Sequence, residues 1–159
     1  MANPDLLVLR PDWEFVSDRV MGGVSDGEVR VDGMQVARLK GHVSLDNNGG
    51  FVQMAFDLRA DGTAFDASGW TGVQIRVRGN GQTYEMRLRT DQLSRPWQSY
   101  TLAFDALAEW RSIQLPFAHF MPHRTEVMFD PAKLRRIGIL AVGREFDADL
   151  SVSEVALYR

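Results

Sequence analysis

The 159-residue sequence contains no cysteine. That removes disulfides, thiolate nucleophiles and cysteine-ligated zinc, and it suits a reducing compartment. Lysine is nearly missing as well: of 18 basic residues only Lys40 and Lys133 are not arginine. With a net charge of -3, the chain lacks the basic surplus that phosphate neutralisation demands, so nucleic-acid binding is not expected. No apolar run approaches the roughly 18–20 residues of a membrane span. The N-terminal segment offers only Leu6–Leu9 behind early negative charge. It reads as neither a signal nor a transit peptide, and a cytoplasmic chain is expected. Histidine is scarce, at His42, His119 and His123. The last two have the four-residue spacing of a helical metal pair, but Pro122 between them opposes that helix. There is no Gly-x-Ser-x-Gly elbow and no metalloprotease motif, and no carboxylate pair stands out. The chain is therefore expected not to be an enzyme, and no catalytic residue, metal ligand or cofactor is assigned.

A helical period is also missing. No segment keeps apolar residues at 3.6-residue spacing for three turns; only Pro131–Arg136 suggests one helical turn. Alternation with period two is present instead. Val29–Val31, Asp32-Gly33 and Met34–Val36 read as a hairpin. Val52, Met54, Phe56 and Leu58 alternate along 51–58. Val73, Ile75 and Val77 alternate with Gln74, Arg76 and Arg78, and Tyr84, Met86 and Leu88 with Glu85, Arg87 and Arg89. Further strands are expected at 98–104, 110–115 and 149–158. Ile137–Val142 is almost continuously apolar, as in a strand buried on both faces. Short strands with turn residues between them predict one all-β sandwich or barrel domain over 1–159, with its first and last strands paired or close.

Several motifs occur in a fixed order. Trp13 precedes Ser17–Gly27 (SDRVMGGVSDG), and Asn48-Gly49-Gly50-Phe51 follows. Then come Val77–Tyr84, Trp110–Phe117 with Phe120, Ile137-Gly138-Ile139, and a final strand ending Leu157-Tyr158. From about Trp13 to Tyr158 the chain resembles the complex I intermediate-associated protein 30 family. The resemblance implies a jelly-roll sandwich of the galactose-binding type. It also implies a non-enzymatic role in assembling the respiratory NADH:ubiquinone oxidoreductase, through contacts with complex I subunits or intermediates. A sandwich of this type makes a carbohydrate or small-ligand binding module the alternative.

The candidate sites follow from local composition. Ser17–Gly27 reads as a wide turn, or as a glycine-lined loop with Asp18 and Arg19 at its rim that holds an anion or sugar hydroxyl. Asp46-Asn47-Asn48-Gly49-Gly50 reads as an Asx-rich turn, or as oxygen ligands for calcium. If the two loops meet, Asp18, Arg19, Asp46 and Asn48 share a site. If 73–78 and 84–89 pair across the 79–83 loop, then Arg76, Arg78, Arg87 and Arg89 share one face, offset within the pair only by Glu85. Either nearby carboxylates such as Asp57 neutralise that face, or it docks an acidic partner. Trp97, after Pro96, is the best candidate for an exposed aromatic; Trp110 reads as structural, and the apolar 116–122 segment as a plug under the sandwich.

Overall fold

The computed structural model describes residues 4–159. Twelve strands form two antiparallel sheets. The back sheet holds β3 (Asp26–Val31), β4 (Ala37–Val43), β12 (Phe146–Tyr158), β6 (Gly72–Gly79) and β9 (Arg111–Pro116) in that order, and β1 (Leu6–Val8) also pairs with β12. The front sheet runs β10 (Met121–His123), β8 (Ser99–Asp105), β7 (Thr83–Thr90), β11 (Leu134–Val142), β5 (Phe51–Asp57), β2 (Glu14–Ser17). This is the expected jelly-roll sandwich. Among the described residues no helix is long and apolar enough to cross a membrane.

The alternating apolar positions build the core. Val52, Met54 and Phe56 of β5, Ile137, Ile139 and Ala141 of β11, and Tyr84, Met86 and Leu88 of β7 turn inward from the front sheet. They meet Leu39, Val73, Ile75, Leu150 and Leu157 of the back sheet. The first and last strands pair as expected, with Leu6 opposite Tyr158 and Val8 opposite Ala156. Phe117 and Phe120 are buried, and Phe129 packs between Phe117 and Tyr100, so the phenylalanines do plug the sandwich. Met121 in the same segment is exposed.

Three local expectations need correction. β4 begins at Ala37, not Met34, because the Asp32 carboxylate accepts from the amides of Met34 (2.8 Å) and Val36 (3.0 Å). That Asx cap widens the two-residue turn to 32–36. The helical turn is shorter than expected. It covers Pro131–Lys133, capped by Asp130 on the Ala132 amide, and the chain becomes strand at Leu134.

The third correction has functional consequences: β6 and β7 do not pair. β6 lies between β12 and β9, and β7 lies between β8 and β11 in the other sheet. The 79–83 loop is an arch across the core. Its backbone pairs with 106–107 and not with itself: Gly79 donates to Leu107 O (2.7 Å), Gly81 to Ala106 O (2.8 Å), and Ala106 to Gln82 O (3.0 Å). Buried Tyr84 fastens the arch. Its hydroxyl donates to Asn80 Oδ1 (2.7 Å) and accepts from the Asp149 amide (2.9 Å). Arg76 and Arg78 therefore lie on one outer face of the sandwich, and Arg87 and Arg89 on the other.

Tyr84→Phe strips the Asp149 amide of its acceptor and frees the arch, and should cost about 1–3 kcal/mol. Urea unfolding checks it: the midpoint should fall while the slope stays that of the parent.

Candidate functional site

The corner at Ser17–Gly27 is organised by one carboxylate. Asp18 is fully buried. Its Oδ1 accepts from the Ser25 amide (2.9 Å), and its Oδ2 from the Ser25 hydroxyl (2.5 Å), the Gly50 amide (2.6 Å) and the Phe51 amide (3.3 Å). Ser25 Oγ in turn accepts from the Ser44 amide at 2.8 Å. The glycines follow from this packing. A Cβ at Gly23 would lie 2.6 Å from Asp18 Oδ1, and one at Gly49 would lie 2.4 Å from Oδ2. Burial pushes the Asp18 carboxyl up, but the hydrogen bonds from Ser25, Gly50 and Phe51 outweigh it and hold the carboxyl below its ordinary range.

The two loops do meet, and the protein's own donors fill the junction. Arg19 spends its Nε on Ser25 O (3.0 Å), and Asp46 and Asn48 point to solvent. Asn47 and Asn48 take left-handed φ values of 57° and 59°, the Asx-turn role. The donor set does not fit calcium here, because Asp18 is saturated with N–H and O–H donors. The described residues gather no cluster of three or more His, Asp or Glu suited to a metal.

The front sheet presents a different surface. All twelve strands belong to the two sheets, so among the described residues no strand lies over either outer face. The outer face of the front sheet is nevertheless recessed: Ala55 is 0%, Leu140 1% and Ser99 3% exposed. The Arg87 and Arg136 side chains there are only 21% and 18% exposed. On the back sheet Arg30 and Arg38 stand out at 79% and 52%. The recess carries Gln53, Glu85, Arg87, Thr101 and His123 around these floor residues, as alternation and register dictate. Gly138 makes room for Gln53; a Cβ there would lie 2.4 Å from the Gln53 amide nitrogen.

Arg89 shapes the rim of the recess. Its Nε donates to Gln98 O (3.2 Å) and a terminal nitrogen to Arg95 O (2.9 Å). These bonds hold the turn that carries Trp97, which is 53% exposed with the Arg95 guanidinium 5.9 Å from its ring centroid. Burial, then the charges of Arg135 and Arg136, push the Arg89 guanidinium below its usual value. Burial, then Arg87 and Arg124, push the His123 imidazole down.

The other arginines behave differently. Arg76 and Arg78 lie over Trp110 on the back face, at 5.6 and 5.3 Å from its ring centroid. Trp110 is thus a half-buried platform for two cations and not a core residue. Arg38 makes a two-pronged pair with Asp149 (2.8 and 2.7 Å). Asp57 pairs with Arg136 at 3.0 Å, and its charge also acts favourably on Arg89 of β7. A hollow of about 390 Å³ opens beside β12 between β1 and β4, walled by Val8, Pro11, Trp13, Val31 and Gln35. Sequence reasoning passed over Gln53, Ser99, Thr101, Arg135 and Arg136, and weighed His123 only as half of a metal pair with His119. Arg136 was legible as a position alternating with Ile137; Arg135 was not, because it is the extra residue of a β-bulge between Leu134 and Arg136.

The sequence matches the model of the family described as complex I intermediate-associated protein 30 over residues 8–152. No curated protein matches it. Among solved structures, it is similar to a family 11 carbohydrate-binding module from Clostridium thermocellum, solved with a β-1,3-1,4-mixed-linked tetrasaccharide. The TM-score is 0.73 and the identity 12%, over 96% of this chain and 95% of that one. It is also similar to the family 30 module of a cellulosomal cellulase of the same organism, with TM-score 0.69 and identity 14%, over 96% of each chain. An agarase matches over 24% of its own length and 97% of this chain, at TM-score 0.65 and 12% identity. At these identities the likeness is one of fold.

A charged Asp18 stabilises the fold where the carboxyl is ionised in both states, above about pH 4. Because its folded pKa is lowered, that stability is lost as pH falls through the folded value. Asp18→Asn points an amide N–H₂ at backbone donors and should cost about 2–4 kcal/mol at pH 7. It should also flatten the fall in melting temperature between about pH 5 and about pH 2. Gly23→Val, which drives a side chain into Asp18, should destabilise comparably; a Gly23→Val protein that melts like its parent would contradict this packing.

Proposed function

We propose that this chain, which belongs to the complex I intermediate-associated protein 30 family, is a single-domain, non-enzymatic binding and assembly module that works through protein–protein contacts. By analogy with the family's name, its partners are subunits or intermediates of respiratory complex I. The observation that carries the reading is the recessed outer face of the front sheet, with Trp97 at its rim and arginine and polar side chains on its floor. Partly buried guanidinium groups beside an exposed tryptophan make the composition of a protein-binding hot spot. The corner at Asp18 serves this face indirectly, by tying β2 and β5 to the turns that flank them.

A second reading is favoured by the same rim. An exposed indole beside hydrogen-bonding side chains such as Gln53 suits stacking on a sugar ring. The carbohydrate-binding modules that share the fold support this alternative. The two readings use one face and differ in what sits on it.

The back-sheet arginines provide the control for a capture experiment. The tagged protein is recovered from its native cells with membranes gently solubilised, and its companions are identified by mass spectrometry. Respiratory-complex subunits should come with the parent and with Arg76→Glu, and be lost with Arg87→Glu. Retention with Arg87→Glu and loss with Arg76→Glu would move the interface to the back sheet, and a partner-free preparation would overturn the assembly reading. In parallel, titration with a mixed-linked β-glucan tetrasaccharide tests the second reading. Binding weakened about tenfold or more by Trp97→Ala would favour it.

A further inference from the structure

The recess contains more hydrogen-bond donors than the protein satisfies. One row across the strands holds Asp57, Arg136, Arg89, Ser99 and His123. Arg136 stands directly opposite Arg89, a like-charge pair that costs stability unless something negative lies near. Asp57 and Glu14 answer Arg136 at 3.0 and 3.5 Å, and Arg89 is spent on backbone carbonyls. Two further guanidinium groups each keep a buried Nε without an acceptor. Arg87 has only Glu85, at 3.5 Å from its Nε, and that buried Nε makes no hydrogen bond. Arg135, which the β-bulge places close enough to Arg89 to depress it, also has a buried Nε without an acceptor. In the row itself, Ser99 is 3% exposed and its buried hydroxyl has no partner. It projects to the outer side of β8, because Tyr100 next to it faces the core. A buried donor with no acceptor is costly, the more so when it is charged. Arg87, 21% exposed, and Arg135, half-buried, keep part of their side chains open on this face, which favours an occupant that brings acceptors and negative charge.

We propose that the recess around Arg87, Ser99 and Arg135 binds carboxylates, and that its occupant is an acidic, extended segment of the partner protein, with Trp97 closing over it from the rim. This rests on the protein-contact reading above. It goes further in naming the partner's chemistry: aspartate or glutamate side chains meeting Arg87 and Arg135 above the buried Ser99. Planar, two-pronged pairing with carboxylate is what guanidinium groups do better than lysine, and nearly all the basic residues of this chain are arginine. The back sheet does not offer the same site, because its arginines are exposed and already engaged, Arg38 with Asp149, Arg30 with Glu28, and Arg76 and Arg78 with Trp110.

Hexaglutamate is the probe, with hexalysine and a hexamer of glucuronic acid as comparisons. Binding is read by calorimetry and by the fluorescence of Trp97, with Trp97→Phe as the spectral control. Hexaglutamate should bind and hexalysine should not, and affinity should fall as salt rises from about 50 to about 300 mM. Arg87→Gln and Arg135→Gln should each weaken binding about tenfold, and Arg30→Gln on the back sheet should leave it unchanged. Circular dichroism and melting of each variant exclude loss of folding as the cause. No hexaglutamate binding at low salt, equal weakening by Arg30→Gln, or binding of the glucuronate hexamer alone would overturn the proposal. If a captured partner is retained by the Arg87→Gln, Arg135→Gln double variant, the protein-contact reading stands and the acidic-segment inference falls. If hexaglutamate binds as described but native cells yield no protein partner, the carboxylate chemistry stands and the assembly reading falls with the identity of its occupant.

Discussion

Burying a carboxylate costs several kcal/mol unless its lone pairs are filled, and one end of the sandwich is built around meeting that demand at Asp18. Four donors from Ser25, Gly50 and Phe51 converge on it. The convergence joins the turn after β2, the entry to β3 and the entry to β5, while Ser25 passes the tie on to Ser44 after β4. Gly23 and Gly49 are needed where backbone must press against the carboxylate itself. The glycine-rich composition of this loop is thus the imprint of an internal anion, and the donors that an external anion would use are spent inside the protein.

The surfaces follow from how the chain crosses between sheets. Side chains alternate along a strand, so each strand sends its polar positions to the outside of whichever sheet it joins. The arch at 79–83 puts β6 and β7 in different sheets, and so distributes four arginines between two surfaces of opposite character. On the back, two of them stand in solvent over Trp110. On the front they lie in a hollow, half-desolvated, where the same groups interact more strongly and an unsatisfied donor is more costly. The difference in environment, not in residue type, makes the front face the better binding surface. Arg89 illustrates it, since a residue that reads as a docking cation is instead the brace that holds the Trp97 turn.

Much was legible beforehand, and for identifiable reasons. Period-two patterns at 51–58, 73–78 and 84–89, with the continuous apolar run at 137–142, state which side chains are buried, because one face of each strand must meet the core whatever sheet it belongs to. Pairing of the end strands and the plug of Phe117 and Phe120 were legible on the same hydrophobic grounds. The exposure of Trp97 followed from its place after Pro96. The width of the 32–36 turn was not legible, because an Asp-Gly pair reads as a tight hairpin until the Asp32 carboxylate is seen capping two further amides.

What the sequence determined by itself is the class of structure: an all-β chain without cysteine or helical period, its core residues named by alternation, and its family by motifs in order. What only the tertiary structure decided is which strands are neighbours, and with that which polar residues share a surface. Alternation is a property of one strand and survives any pairing. The placement of Arg87, Ser99 and Arg135 around one recess depends on an arch, a bulge and a register set by residues far apart in the chain. These are non-local hydrogen bonds and packing, and no window of sequence contains them.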